Sequence, residues 1–389
     1  MSKPITTFED FIWRVLTVVF YVLLLSAFIL VPIYYLLDAV FHFPVDIFAL
    51  ATVKPFEFLS FQENLLSTEP FRTIFALTTF PGFTFVAVYG TILMGWVERK
   101  LTAKIQLRTG PMYAGKVEGI LQNFADFFKL LFKEIVIPNG VDRATFIAVP
   151  FALMAVAGAL VALVPLSPST FIANPSVGAV LVFAILGFTP LVVLLAGWAS
   201  NSKYPFLGGL RALHQMVAYE IPLVLSLVGA VVLAGSLNLM DIVNAQGGLW
   251  YIILQPLGAI VFFIGALAEL ERIPFDLPEA DSELVAGWQT EYTSMLFGTF
   301  QLANFSRMYV MAGLFTTFFL GGWLGPSPVP PEVWFILKTT VVMLVMMLPR
   351  SIMPRVRIDI LLRTGWVKLL VISFANIFLT MLIVALGLR

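Results

Sequence analysis

The sequence predicts an all-α polytopic membrane protein with about nine transmembrane helices, and three observations carry that expectation. Hydrophobic residues make up 60% of the 389-residue chain. Charged residues make up 12%, about half the share usual in soluble domains. Windows of about 20 apolar residues, enough to cross a hydrocarbon layer of about 30 Å, recur from end to end. The sequence lacks the alternating ten-residue segments that build membrane barrels, so the spans are expected to be helices that satisfy their own backbone polar groups.

In chain order the candidate spans are 13–37, 72–97, 144–166, 177–199, 217–237, 249–270, 294–320, 333–348 and 366–387. The first is too long for the apolar core of a secretory leader, and no small-residue cleavage motif follows it. The eighth is short and is expected to borrow residues from its flanks. The connectors 167–176, 238–248 and 321–332 read as plain turns. The loops after the second, fourth, sixth and eighth spans concentrate the bases, among them Arg99, Lys100, Lys104, Arg108, Lys129, Arg211, Arg272, Arg350 and Arg355. The opposite loops hold little beyond Lys54 and Arg72. An excess of Lys and Arg marks the cytoplasmic side, or its equivalent in an organelle.

The residue inventory excludes several chemistries. There is no cysteine, hence no disulfide and no cysteine-held zinc or iron–sulfur site. The two histidines, His42 and His214, lie far apart, which argues against a haem with paired histidine ligands. No glycine-rich nucleotide motif follows a strand pattern. The chain is therefore expected to bind no metal and no redox cofactor of its own. It shows no internal repeat and no inverted pair of interrupted helices, which weighs against a stand-alone transporter.

Function is expected in the basic-side loops. Segment 98–143 is too long for a turn. Within it Glu118, Gln122, Asp126, Lys129 and Lys133 recur at steps of four and three, with Phe124, Phe127, Phe128, Leu131 and Phe132 opposite them. That spacing predicts an amphipathic helix, and a helix lying at the membrane interface is the plain reading of it. The turn "RTGP" before it would aim Arg108 at a definite place. Segment 200–216 reads as a second connector, carrying Lys203, Arg211 and His214; the lone imidazole reads as structural.

The sixth span runs into a dense acidic stretch. Glu269, Glu271, Asp276, Glu279, Asp281, Glu283 and Glu291 fall within 23 residues, with Arg272 as the single base among them. Pro274, Phe275, Leu277, Pro278, Leu284, Val285 and Trp288 interleave with them, so much of the stretch should be packed. Glu279 and Glu283, four apart, would share a helix face with Asp281 nearby. Carboxylates so close in a low dielectric cannot all ionise, and one should keep a proton. A solvated loop that docks a basic partner is the alternative. Glu220 opens the fifth span just before Pro222. Ser294, Gly298, Gln301, Asn304 and Arg307 form a polar seam along the seventh, with Glu291 at its mouth. Lys338 in the eighth span reads either as a partner of that seam or as a side chain reaching for the interface. Ionisable groups at such depth are costly and usually pair with one another or line a pathway.

The segments "ERKLTAKIQLRTGP", "QNFADFFKLLFKE", "AGWASNSKY", "LRALHQMVAYEIP", "FDLPEADSELVAGWQTEY", "FLGGWLGP" and "PRVRIDILLRTGW" occur in this order. Together they resemble the successive signatures of the NuoH family, the quinone-site heel subunit of respiratory complex I, the proton-translocating NADH:quinone oxidoreductase. The resemblance covers roughly 72–387. It implies an enzyme subunit, inactive alone, made of eight family helices in 72–389, with 1–71 as an additional N-terminal helix and connector. It implies a multi-pass protein of the bacterial plasma membrane, or of an organellar membrane, with basic loops on the cytoplasmic side. Its partners would be peripheral-arm quinone-site subunits, small membrane subunits, antiporter-like subunits, quinone and the bilayer, with no nucleic acid. Quinone would be the substrate, and iron–sulfur clusters and FMN would sit in partner subunits.

Residue by residue, the resemblance assigns Arg99, Arg108, Asp126, Arg272 and Asp276 to the quinone chamber. It assigns Glu220, Glu269, Glu279, Asp281, Glu283 and Glu291 to a carboxylate route that couples quinone reduction to proton pumping. Two positions depart from the pattern: Glu271 where many relatives have Asn, and Asn304 where many have Glu. The corresponding subunit of a membrane-bound hydrogenase, or of a ferredoxin- or deazaflavin-linked dehydrogenase, remains the alternative. A proton-coupled transporter fits least.

Overall fold

The computed structural model describes residues 87–115, 118–168, 171–326 and 329–386. The candidate span 13–37, the connector up to 71 and the first part of 72–97 lie outside the described residues. Every regular element among the described residues is helical. A π-helical stretch, Ala87–Met94, runs into α1 (Gly95–Ile105), followed by α2 (Gln122–Phe132) and α3 (Arg143–Leu163). Next come α4 (Gly178–Leu186) and α5 (Thr189–Ala199), one span broken at Gly187 and Phe188. Then follow α6 (Lys203–Ala234), the short α7 (Leu239–Asn244) and α8 (Tyr251–Leu254), and α9 (Pro256–Glu269). The acid stretch holds only α10 (Asp281–Leu284) and a turn at Gly287–Gln289. The chain closes with α11 (Ser294–Phe319), α12 (Pro331–Ile352), α13 (Ile358–Arg363) and α14 (Leu370–Ala385), the last two joined through a π-helical turn.

Five of these segments are long and apolar enough to cross a membrane: α3, α4–α5, α6, α12 and α13–α14. The eighth candidate span does borrow from both flanks, running from Pro331 to Ile352. The sixth is interrupted at Gln255, which leaves α9 with 14 residues, about 21 Å of helix and short of a full crossing. Connector 238–248 is no plain turn, since Asn238 caps α7 by accepting a hydrogen bond from the Met240 amide at 2.8 Å.

The segment 200–216 is not a connector. It is the first half of α6, a helix of 32 residues, about 48 Å long and well beyond a hydrocarbon layer. Pro205 in the first turn removes an N–H that had no helical partner anyway. Gly208 and Gly209 serve close crossings. A Cβ on Gly208 would stand 2.7 Å from the Trp288 amide nitrogen, and one on Gly197 of α5 only 2.4 Å from the Pro205 carbonyl oxygen. Close packing on both sides offsets the roughly 1 kcal/mol that glycine costs inside a helix. Glu220 consequently sits in the middle of α6, not at the opening of a span.

At the centre of the bundle lies α11, packed against α3, α12 and the Ala87–Met94 stretch. From Ser306 to Phe319 every residue of it is buried. Arg307 falls within that stretch, so protein rather than lipid surrounds it, which is why a helix with an arginine inside it is tolerated here. Lys338 does not join the polar seam. Its ammonium donates to the carbonyls of Leu320 (2.7 Å), Gly322 (3.1 Å) and Leu324 (2.6 Å), and it lies 4.4 Å from the centre of the Trp250 ring.

Candidate functional site

The single base of the acid stretch does not neutralise its own neighbours. Arg272 leaves the loop after α9 and pairs with Oε1 of Glu98 in α1, the same oxygen that Arg350 at the end of α12 holds. Glu98 is 2% exposed. Burial pushes its carboxyl up, but the guanidiniums of Arg272 and Arg350 outweigh burial and hold it below the usual carboxylate range. Arg272 also lies over the Phe305 ring, 5.3 Å from its centre. Sequence reasoning passed over Glu98, although an acid heading a run of bases right after an apolar span is a legible signal for a buried ion pair.

Beside this triad opens a pocket of about 340 Å³, lined by Glu98, Arg99, Thr102, Arg108, Pro111 and Arg350 among others. Two of the expected chamber residues, Arg99 and Arg108, therefore do meet there. Arg108 is exposed beyond the end of α1, past Leu107 in a left-handed conformation (φ +57°). Asp126 on α2 accepts from Arg99 at 2.6 Å and from Gln122 at 3.0 Å, so it fastens the amphipathic helix to the pocket wall. The same helix leaves Phe127, Phe128, Leu131 and Phe132 exposed, as an interfacial helix would.

Each acid of the stretch finds its own surroundings. Glu269, buried at the end of α9, pairs with Arg307 of α11 at 3.3 Å, and the same guanidinium donates to the Glu269 carbonyl at 2.6 Å. Glu271 accepts from the Trp288 indole N–H at 3.2 and 3.3 Å. Asp276 pairs with Arg355 at 2.9 Å. Glu279 accepts from the Gln289 amide, while Glu283 pairs with Arg211 of α6. Glu279 and Glu283 do not share a helix face: α10 begins only at Asp281, after Ala280 in an extended conformation. The backbone of Asp281 is helical, and its side chain lies outside the described residues. Glu291, partly exposed, makes no ion pair with any described residue.

The crowding expected of Glu279 and Glu283 falls instead on Glu271 and Glu279, since Glu283 turns to Arg211. Burial pushes the Glu271 carboxyl well above the usual range and Glu279 pushes it further; Arg307 and the Trp288 hydrogen bond offset only part of this. A group whose folded pKa is raised stabilises the fold fully below its unfolded value, and loses that contribution as pH rises through the folded value. Glu271→Gln removes the titration while leaving an oxygen for Trp288. Thermal midpoints of the two proteins should coincide at about pH 4.5 and separate in favour of the variant toward about pH 8. Equal midpoints throughout would mean that Glu271 is ionised without cost.

Deeper in the bundle, Glu220 lies next to the break between α4 and α5. Its Oε1 sits 3.0 Å from where a Cβ of Gly187 would stand, and it is within electrostatic reach of Glu269. The arrangement is thus a chain of charged groups. It starts at the pocket with Glu98, Arg272 and Arg350, passes Glu279 and Glu271, reaches the Arg307–Glu269 pair and ends at Glu220 inside the longest span. Among the described residues no group of three or more His, Asp or Glu could hold a metal ion.

A family model described as NADH dehydrogenase matches residues 79–381. The chain is 46% identical over 304 residues to an NADH-quinone oxidoreductase subunit of Bacillus thuringiensis (strain Al Hakam), covering 76% of this chain and 90% of that protein. Over 301 residues it is 47% identical to the corresponding subunit of Bacillus cytotoxicus (strain DSM 22905 / CIP 110041 / 391-98 / NVH 391-98), again with 76% and 90% covered.

Proposed function

The chain belongs to the NADH dehydrogenase family, whose matched relatives are NADH-quinone oxidoreductase subunits, and from that premise we propose how its parts serve the complex. It is a membrane subunit of an oxidoreductase complex, and its relatives do not favour the hydrogenase, ferredoxin-linked or transporter alternatives. The pocket beside Glu98 belongs to the chamber that receives the quinone, with Arg99, Arg108 and Arg272 supplying positive charge, and Asp126 and Asp276 anchoring Arg99 and Arg355. The acids Glu279, Glu269 and Glu220 carry the coupling inward; Asp281, Glu283 and Glu291 border the route. Segment 72–389 is the working membrane domain, and 1–71 is an addition to it.

One observation supports this reading above the rest: the series of ionisable side chains, each within electrostatic reach of the next, from the open pocket to the middle of α6. Charges cost several kcal/mol at membrane depth, and a fold that keeps so many in sequence uses them. The basic loops face the cytoplasm, where peripheral-arm subunits carrying FMN and iron–sulfur clusters dock; small membrane subunits and antiporter-like subunits take the flanks. The membrane is the plasma membrane of a bacterium.

Arg272→Ala tests the chamber. It leaves buried Glu98 with Arg350 alone, removing a charge-assisted bond of roughly 1.5–3 kcal/mol. Quinone reductase activity should fall at least tenfold, while the complex assembles and still oxidises NADH with an artificial acceptor. Equal loss of both activities would mark Arg272 as purely architectural.

A further inference from the structure

Glu271 violates three expectations at once. It is 6% exposed, its backbone is left-handed (φ +52°), and no cation among the described residues forms an ion pair with it. Such a residue persists only where the surroundings over-determine it, and an outlier of this kind points toward function. Among the described residues its carboxylate accepts from the Trp288 indole, itself fully buried between α6 and α11. The charged groups that face it are Glu279 and Asp276 from the loop and Arg307 from α11. Arg307 is committed to Glu269 and, at 3.5 Å, to Asn304; Asp276 is committed to Arg355. Glu279 is brought to the same turn as Glu271, because Trp288 donates to Glu271 and the next residue, Gln289, donates to Glu279.

We propose that Glu271 and Glu279 together hold one proton at the junction between the Glu98 triad and the Arg307–Glu269 pair, with Trp288 as the positioning residue that orients Glu271. The inference rests on the reading that these carboxylates couple quinone reduction to proton movement. The balance is a single O–H bond. With the proton on Glu271, the negative charge sits on Glu279, where the Gln289 amide donates to it and Arg350 attracts it. Transfer breaks that O–H bond and forms one on Glu279, and the charge moves to Glu271, where the indole N–H stabilises it. A charge appearing or vanishing at either end of the series tips the pair one way or the other. Two carboxyls that share a site titrate as a unit in just this manner.

The test uses the intact complex in membranes and two readouts: the infrared carbonyl stretch of protonated carboxylic acids, and the pH profile of quinone reductase activity. Glu271→Gln should remove one protonated-acid band and delete one ionisation from the profile. Trp288→Phe removes the donor that favours the charged form, so the same ionisation should move upward by about one pH unit. Because that variant keeps both carboxyls, it decides the matter even if the glutamine variant assembles poorly. A Glu271→Gln spectrum that retains the band, a Glu271→Gln profile that coincides with the parent, or a Trp288→Phe profile that does not move overturns the proposal. Glu269→Gln separates it from the broader reading. If that variant pumps normally while Glu271→Gln still loses its band and its ionisation, the shared proton stands and the route through Glu269 falls.

Discussion

Replacing Arg307 by methionine should destabilise the assembled subunit by about 3–5 kcal/mol, the usual consequence of leaving one partner of a buried ion pair alone. Arg307 and Glu269 have side chains 1% and 3% exposed, so no solvent screens either charge and no water can take the lost partner's place. The guanidinium is committed twice to Glu269, to its carbonyl at 2.6 Å and its carboxylate at 3.3 Å. Its loss therefore strands the end of α9 as well as a charge. Adding Glu269→Gln to Arg307→Met should recover most of the loss, because a neutral pair of similar shape carries no stranded ion. The measurement is a double-mutant cycle on the thermal midpoint of the complex in detergent. Additive effects would show that the two side chains do not depend on each other. Turnover should not recover with stability, since the double variant removes an ionisable group from the series.

Much of this molecule was legible from periodicity and composition. The helical class, the spans 144–166 and 177–199 and the amphipathic α2 follow from apolar windows and a step of three and four. These signals are local, and the structure answers them locally. What failed to read correctly were the long-range pairings. The segment 200–216 looked like a connector because glycine, proline and charge usually mark loops. Here the glycines serve helix crossings with α5 and with the Gly287 turn, and the latter is about 80 residues away along the chain. Glu279 and Glu283 looked like helix neighbours because they are four apart, yet Ala280 is extended and sends them to different partners. Arg272 looked like the counter-ion of its own loop, whereas its partner Glu98 is 174 residues earlier. Charge pairing is set by which helix ends meet, and a single sequence does not display that.

The carboxylates themselves should separate by what they control. Glu220→Gln keeps the shape and hydrogen-bonding capacity of the side chain beside Gly187 but removes its proton. If Glu220 ends the series, coupled quinone reduction should fall about a hundredfold or more, the scale on which a positioned acid–base group contributes, because turnover stalls when its proton has nowhere to go. Glu291→Gln should act in the same direction, and more weakly, since Glu291 has no ion pair among the described residues and stands partly open. Asn304→Glu tests the converse. An unpaired acid within a span costs about 2–3 kcal/mol, but Asn304 already lies 3.5 Å from the Arg307 guanidinium, three residues along α11, where opposite charges attract. The new carboxylate would share Arg307 with Glu269, so the complex should assemble and remain coupled. Proton uptake per electron in membrane vesicles decides among these outcomes. If both glutamine variants kept the parental stoichiometry and rate, the acids would carry no protons, and the stretch after α9 would be a docking surface whose charges answer a basic partner.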